Sequence, residues 1–206
     1  MTARSRLEQR REPQQARSRA TRERILEAAA RVLAEHGYAR GTTNRIADAA
    51  GLSIGSLYQY FPNKDAVLAE LVRRHARDGV AALADLPLDG PLDAVLHAAV
   101  EALAALHRED QRLHQVLFEQ APRPADVLED LRRIEEAYVQ IVAGKLASDG
   151  TVHVTDPEAA ARLVVWTLES LVHRAAAAGR LDDQHVLDAV VPMLLSHLRA
   201  QSNGAR

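Results

Sequence analysis

Cysteine is absent from the chain. No disulfide framework, thiolate nucleophile or cysteine-held zinc can therefore be built, and a reducing cytosol suits the composition. Apolar runs approaching eighteen residues are absent too, so no transmembrane helix is expected. The first twenty residues carry six Arg and no apolar stretch, unlike a secretory signal. GxSxG, GxxxxGK[ST] and a GxGxxG following a strand are all missing, which points away from an enzyme. No HxxxH or HExxH spacing occurs either, so neither a metal nor another cofactor is expected. These absences leave the expectation of a soluble, cytoplasmic protein without a membrane partner.

What is present favours helices. Hydrophobic residues make up 47% and charged residues 26%, with only ten Gly and eight Pro against abundant Ala, Leu and Arg. An all-α fold follows. The net charge of −2 hides a segregation: residues 1–77 hold fifteen basic and eight acidic residues, residues 78–206 eleven and twenty. A basic N-terminal third suits a polyanion, because each phosphate neutralised releases counterions. Charge segregation also serves solubility, so by itself it does not decide.

Residues 1–18 are polar and Arg-rich without an apolar stripe, and read as a flexible arm, either a plain leader or a minor-groove element. From Thr21 the period becomes helical, with Ile25, Ala28, Ala29, Val32 and Leu33 on one face and Gly37 at a left-handed stop. Thr42 and Thr43 can cap a short second helix, Ser53 a third ending near Tyr60, and Asn63 a fourth running to about Ala84. Five more are expected near 91–107, 110–120, 125–148, 156–178 and 183–200, which makes nine. The domain reading is an arm over 1–18, a DNA-binding domain over 19–64 and a ligand-binding and dimerisation domain over 65–206.

Residues 42–64, TTNRIADAAGLSIGSLYQYFPNK, carry the function. Ala47 is small where two helices would touch, Gly51 fits the turn four residues later, and Ile46, Ala50, Leu52 and Leu57 supply a small core. Small, Gly and apolar residues at those offsets define a helix-turn-helix. The third helix has the side chains of a DNA reader. Ile54 can touch a thymine methyl, Gly55 permits close approach beside Ser53 and Ser56, and Gln59 can bond a base edge or a phosphate. Thr42, Thr43, Tyr58 and Tyr60 offer hydroxyls suited to phosphate, while Asn44 can reach a base edge, bond a phosphate or start the helix. Lys64, one of only two lysines, sits at a helix start where an ammonium suits phosphate.

Thr42 to Lys64, with RERILEAAARVLAEHGY before it and DAVLAELV after it, resembles the DNA-binding domain of the TetR family of bacterial regulators. The resemblance covers about residues 20–72. It implies a homodimeric repressor with recognition helices in successive major grooves of double-stranded operator DNA, released when a small molecule enters the C-terminal domain. It further implies that Thr43, Tyr58 and Lys64 stand at the family's phosphate positions. Beyond residue 72 no subfamily is recognisable, so no ligand residues carry over.

A single reading helix spans too few base pairs for useful specificity, which favours a dimer on a two-fold site. Stripes on the last two helices, Ala160, Leu163, Val164, Thr167, Leu168 and Leu171, then Val186, Leu187, Val190, Leu194 and Leu198, can pair as a four-helix bundle or pack within one chain. Ligand-pocket candidates are His97, His107, His114, Phe118, Tyr138 and Trp166, each of which can equally be a core or surface residue. A helical scaffold or interaction module that uses the helix-turn-helix only for packing is the alternative from another class.

Overall fold

A computed structural model describes residues 8–108, 111–120 and 122–204, with the side chains of 8–14, 184, 186 and 201–204 outside that description. The regular structure of the described residues consists of nine α-helices and no strand: α1 (Glu8–Arg40), α2 (Thr43–Ala49), α3 (Ile54–Tyr58), α4 (Lys64–Ala84), α5 (Leu92–Arg108), α6 (Gln111–Gln115), α7 (Ala125–Ser148), α8 (Pro157–Ala177) and α9 (Gln184–Gly204). A π-helical stretch, Val116–Gln120, continues α6 where a single α-helix was expected. No described helix is long and apolar enough to cross a membrane.

Helix α1 starts at Glu8 rather than near Thr21. Its early residues are mostly Glu, Gln, Arg and Ala, good helix formers interrupted by Pro13, and the exposure of Gln15 to Ala20 explains the missing apolar stripe. Of the expected arm only residues 1–7 lie outside the described ones. At Gly37 the chain leaves the helix with φ 71° and ψ 175°, which a residue bearing a Cβ rarely adopts.

The chain forms two compact units, one of residues 1–71 and 116–122, the other of 72–115 and 123–206. In the first, Ile25, Leu26 and Leu33 of α1 are buried, as are Ile46 and Ala47 of α2, Leu57 of α3 and Phe61. Val67, Leu68 and Leu71 of α4 are buried too, which is why this unit runs past Lys64. Val116 and Leu117, from much later in the chain, are buried as well, and Gln120 accepts a hydrogen bond from the Tyr38 backbone N–H at 3.2 Å.

The second unit is a bundle around a continuous apolar core from α4, α5, α7, α8 and α9. Asp156 caps α8 by accepting from the N–H groups of Glu158 and Ala159, with Pro157 at the first helical position. Val190 and Leu194, expected at a dimer surface, are only 4% and 3% exposed and belong to this core. Their stripe is satisfied within one chain. Leu171 packs against the same core, Thr167 turns its hydroxyl to the Leu163 carbonyl, and Val186 lies outside the described side chains. Of the residues expected at a dimer surface Leu163 does face outward, and the other large exposed apolar residues of α8 and α9 are Trp166 and Met193, with Leu128 on α7.

Candidate functional site

Helices α2 and α3 are too short to persist alone, and their caps and turn hold them. Thr42 caps α2 by accepting from the Arg45 N–H at 3.3 Å, which settles which residue starts that helix. Asn44, already inside α2, is exposed. Gly51 has φ 64° in the turn, and Ser53 caps α3 by accepting from the Ser56 N–H at 3.1 Å. The Ser53 and Ser56 hydroxyls stand 2.8 Å apart, so both tie down the start of α3. That leaves Ile54, Gly55, Tyr58 and Gln59 as the exposed face of the short helix.

Beside that face the Thr43 and Tyr58 hydroxyls lie 3.3 Å apart and form a paired rim, while Tyr60 is half-buried. Lys64 does more than mark a helix start. Its ammonium donates to the Tyr38 carbonyl at 2.7 Å and lies 3.7 Å from the centre of the Tyr38 ring. The Tyr38 hydroxyl in turn donates to Asp65 at 3.0 Å, a bond that raises the Tyr38 pKa first, ahead of burial. Asn63 accepts from the Ala66 N–H at 2.8 Å and caps α4.

In the second unit a small cavity lies among α4, α5, α7 and α8, with walls that are almost wholly Leu, Val, Ile and Ala. Of the six expected ligand residues only Tyr138 lines it. The Tyr138 hydroxyl donates to the Ala76 carbonyl at 3.1 Å. His97 lies exposed by an open groove with Asp93, Pro192 and Arg199, and Trp166 is half exposed with its indole N–H donating to Glu135 at 2.7 Å. Phe118 lies in the π-helical stretch of the first unit, so sequence position misplaced it. His107 and His114 pack together at a ring separation of 4.4 Å.

Two polar groups of the cavity wall carry no signal in the sequence. Lys145 is neutralised by Asp149 at 3.0 Å and donates to the Gly90 carbonyl at 2.7 Å. Glu169 has its pKa pushed up to about 7, first by burial and second by the charge of Glu135. A carboxyl with its folded pKa above the unfolded value binds more protons when folded, so its contribution to stability falls as pH rises between about 4.5 and 7. Glu169→Gln is expected to remove that slope and raise stability at pH 8 by roughly 1–3 kcal/mol. Thermal melts of both proteins across pH 5 to 8 check this; parallel curves overturn it.

Two family descriptions match the chain. Residues 25–71 match "Bacterial regulatory proteins, tetR family", and residues 91–198 match "Tetracyclin repressor-like, C-terminal domain". The HTH-type transcriptional regulator Rv2250c of Mycobacterium tuberculosis is 26% identical over 167 residues, 80% of this chain and 86% of that one. The HTH-type transcriptional repressor KstR2 of Rhodococcus jostii is 33% identical over 91 residues, 42% and 45% of the two chains. Among solved structures, a transcriptional regulator from Rhodococcus sp. RHA1 has a TM-score of 0.68 at 23% identity, over 85% of this chain and 96% of that one. FadR from Bacillus subtilis in complex with stearoyl-CoA has 0.64 at 22%, over 87% and 98%. At these identities the structural likeness is one of fold.

Proposed function

Because the chain belongs to the TetR family of bacterial regulatory proteins, we propose that it is a transcriptional repressor that binds a palindromic operator as a homodimer and releases it on binding a small molecule. The observation that carries this reading is the exposed face of α3: Ile54, Gly55 and Gln59 stand outward on a helix whose own polar groups are already capped. Thr43, Tyr58 and Lys64 flank it as phosphate contacts, and the basic excess of the N-terminal third draws the unit to DNA. Reading and holding are thus divided between different side chains.

Leu163, Trp166 and Met193 supply the dimer contact, since apolar residues of this size exposed on two helices of one unit are otherwise costly. The effector is an apolar molecule, because the cavity offers hydrocarbon walls with one protonatable carboxyl, Glu169, to orient a donor or a basic group. Bacillus subtilis FadR holds stearoyl-CoA, but the reading of an apolar effector here rests on the lining of this chain's own cavity. Such a molecule acts by binding more tightly to the state that cannot grip the operator, and α4, whose residues belong to both units, is one covalent path between them.

Selection from a random duplex pool, then titration of the enriched sequence at several salt concentrations, tests the proposal. The expected result is a two-fold symmetric site bound by two chains, with affinity falling steeply as salt rises. No enrichment, or binding indifferent to salt, overturns it and favours a helical scaffold.

A further inference from the structure

Four histidines converge inside the second unit, each from a different helix: His75 from α4, His107 from α5, His114 from α6 and His173 from α8. His107 and His114 are 3% and 4% exposed. Nε2 of His75 lies 3.2 Å from Nε2 of His107, and Nδ1 of His173 lies 3.0 Å from Nε2 of His114. One ring nitrogen from each of His75, His107 and His114 lies within 4.8 Å of those from the other two. Two nitrogens bound to a tetrahedral zinc at about 2.0–2.1 Å are themselves about 3.3 Å apart. Both close pairs therefore already stand near the edge length of such a site.

The backbone sets the chemistry of one ring. His107 Nδ1 is 2.6 Å from the Leu103 carbonyl, which can only accept, so the proton is on Nδ1 and Nε2 presents its lone pair to the cluster. A second hydrogen bond of this kind, from the far nitrogen to a carbonyl, is what orients metal-binding imidazoles. His107 and His114 are buried, and burial favours the neutral imidazole, which is the form that ligates. An all-imidazole donor set selects zinc-like ions over magnesium or calcium, which need oxygen.

We infer that this cluster is a binding site for one divalent transition-metal ion of the zinc, cobalt or nickel kind, held by His75, His107 and His114, with His173 closing the fourth side. Resting on the regulator reading above, the ion is a second input to DNA binding, separate from the apolar cavity. His75 follows Leu71 by four residues and His114 precedes Val116 by two, and both Leu71 and Val116 belong to the first unit. An ion that draws these ligands together acts on chain segments that run directly into the DNA-binding part. Spacing in the sequence could not reveal this, because no two of the four share a helix.

The test uses the full-length protein, stripped with a chelator and titrated with Co²⁺ and with Zn²⁺. The expected result is one ion per chain by calorimetry, with the visible absorption bands of tetrahedral Co²⁺. His107→Ala should lower affinity by about 100-fold or more and His173→Ala by about 10- to 100-fold, while His97→Ala, outside the cluster, changes nothing. No saturable binding by the unaltered protein overturns the site whatever the variants do, and so does binding that survives His107→Ala. In a second arm, metal-loaded and stripped protein are compared on the selected DNA. A change of at least about 5-fold supports the input, and equal affinities overturn it. If neither form binds any DNA, the regulator reading fails while the metal isotherm still decides the site.

Discussion

Gly55→Glu is expected to weaken binding to the selected operator by about 100-fold or more, roughly 3 kcal/mol, while leaving the thermal stability of the protein within about 1 kcal/mol of the original. The separation follows from what surrounds this glycine. It is exposed within α3, and a Cβ built on it would come no nearer to its surroundings than 3.9 Å, from the Ser53 hydroxyl. Nothing in the fold requires glycine there, and α3 would gain from a residue with better helix propensity. The bare backbone leaves room for a surface from outside the chain to approach. A carboxylate at this point meets base edges and phosphates with both bulk and like charge. Gly55→Ala, which adds a methyl and no charge, should fall between the two on DNA while melting at or above the original temperature. Anisotropy titrations paired with thermal melts check the pair, and normal operator binding by the Gly55→Glu variant would remove α3 from the interface.

The second large effect lies in the other unit and concerns stability. Gly79 is buried in α4, and a Cβ placed on it would run into the Tyr138 hydroxyl. That hydroxyl is held in place by its bond to the Ala76 carbonyl, one turn earlier on the same helix. Gly79→Ala is therefore expected to cost about 1–3 kcal/mol despite the better helix propensity of alanine. Tyr138→Phe alone should cost about 1 kcal/mol for the lost hydrogen bond. The double variant should be more stable than Gly79→Ala alone, because removing the oxygen removes the obstacle. Denaturant unfolding of the three variants measures this coupling, and simple additivity would show that the tyrosine does not oppose the methyl.

The helix-turn-helix is legible because its determinants are local. Thr42, Gly51, Ser53 and Asn63 are cap or turn residues whose chemistry acts over two or three neighbours, and the structure finds each at its post. Helix periods are legible for the same reason, with α4, α5, α7 and α8 close to the expected bounds. Where a residue's surroundings come from distant chain, the sequence misleads. Val190 and Leu194 form a stripe that could face a partner or a core, and only the packing of α5 and α8 against α9 decides for the core. Phe118 sits in a segment that joins the first unit across a long stretch of sequence. Spacing argues against His107 and His114 as metal ligands and gives His75 and His173 no distinction, yet packing brings all four together. Glu169 is one more acid of α8 in the sequence, and only the cavity places hydrocarbon around it.

The π-helical stretch Val116–Gln120 has a bearing on how such a regulator can be taken apart or recombined. Its Val116 and Leu117 are buried, and the Gln120 amide oxygen accepts from the Tyr38 backbone just beyond Gly37. A chimera that joins this chain's residues 1–71 to a foreign sensor domain leaves those partners behind. It strips apolar cover from the reading head and removes the acceptor facing Tyr38. Transplanted specificity therefore depends on carrying two pieces of chain together, the N-terminal stretch and this five-residue patch. This reading head is expected to be portable only to sensor domains that supply an equivalent patch.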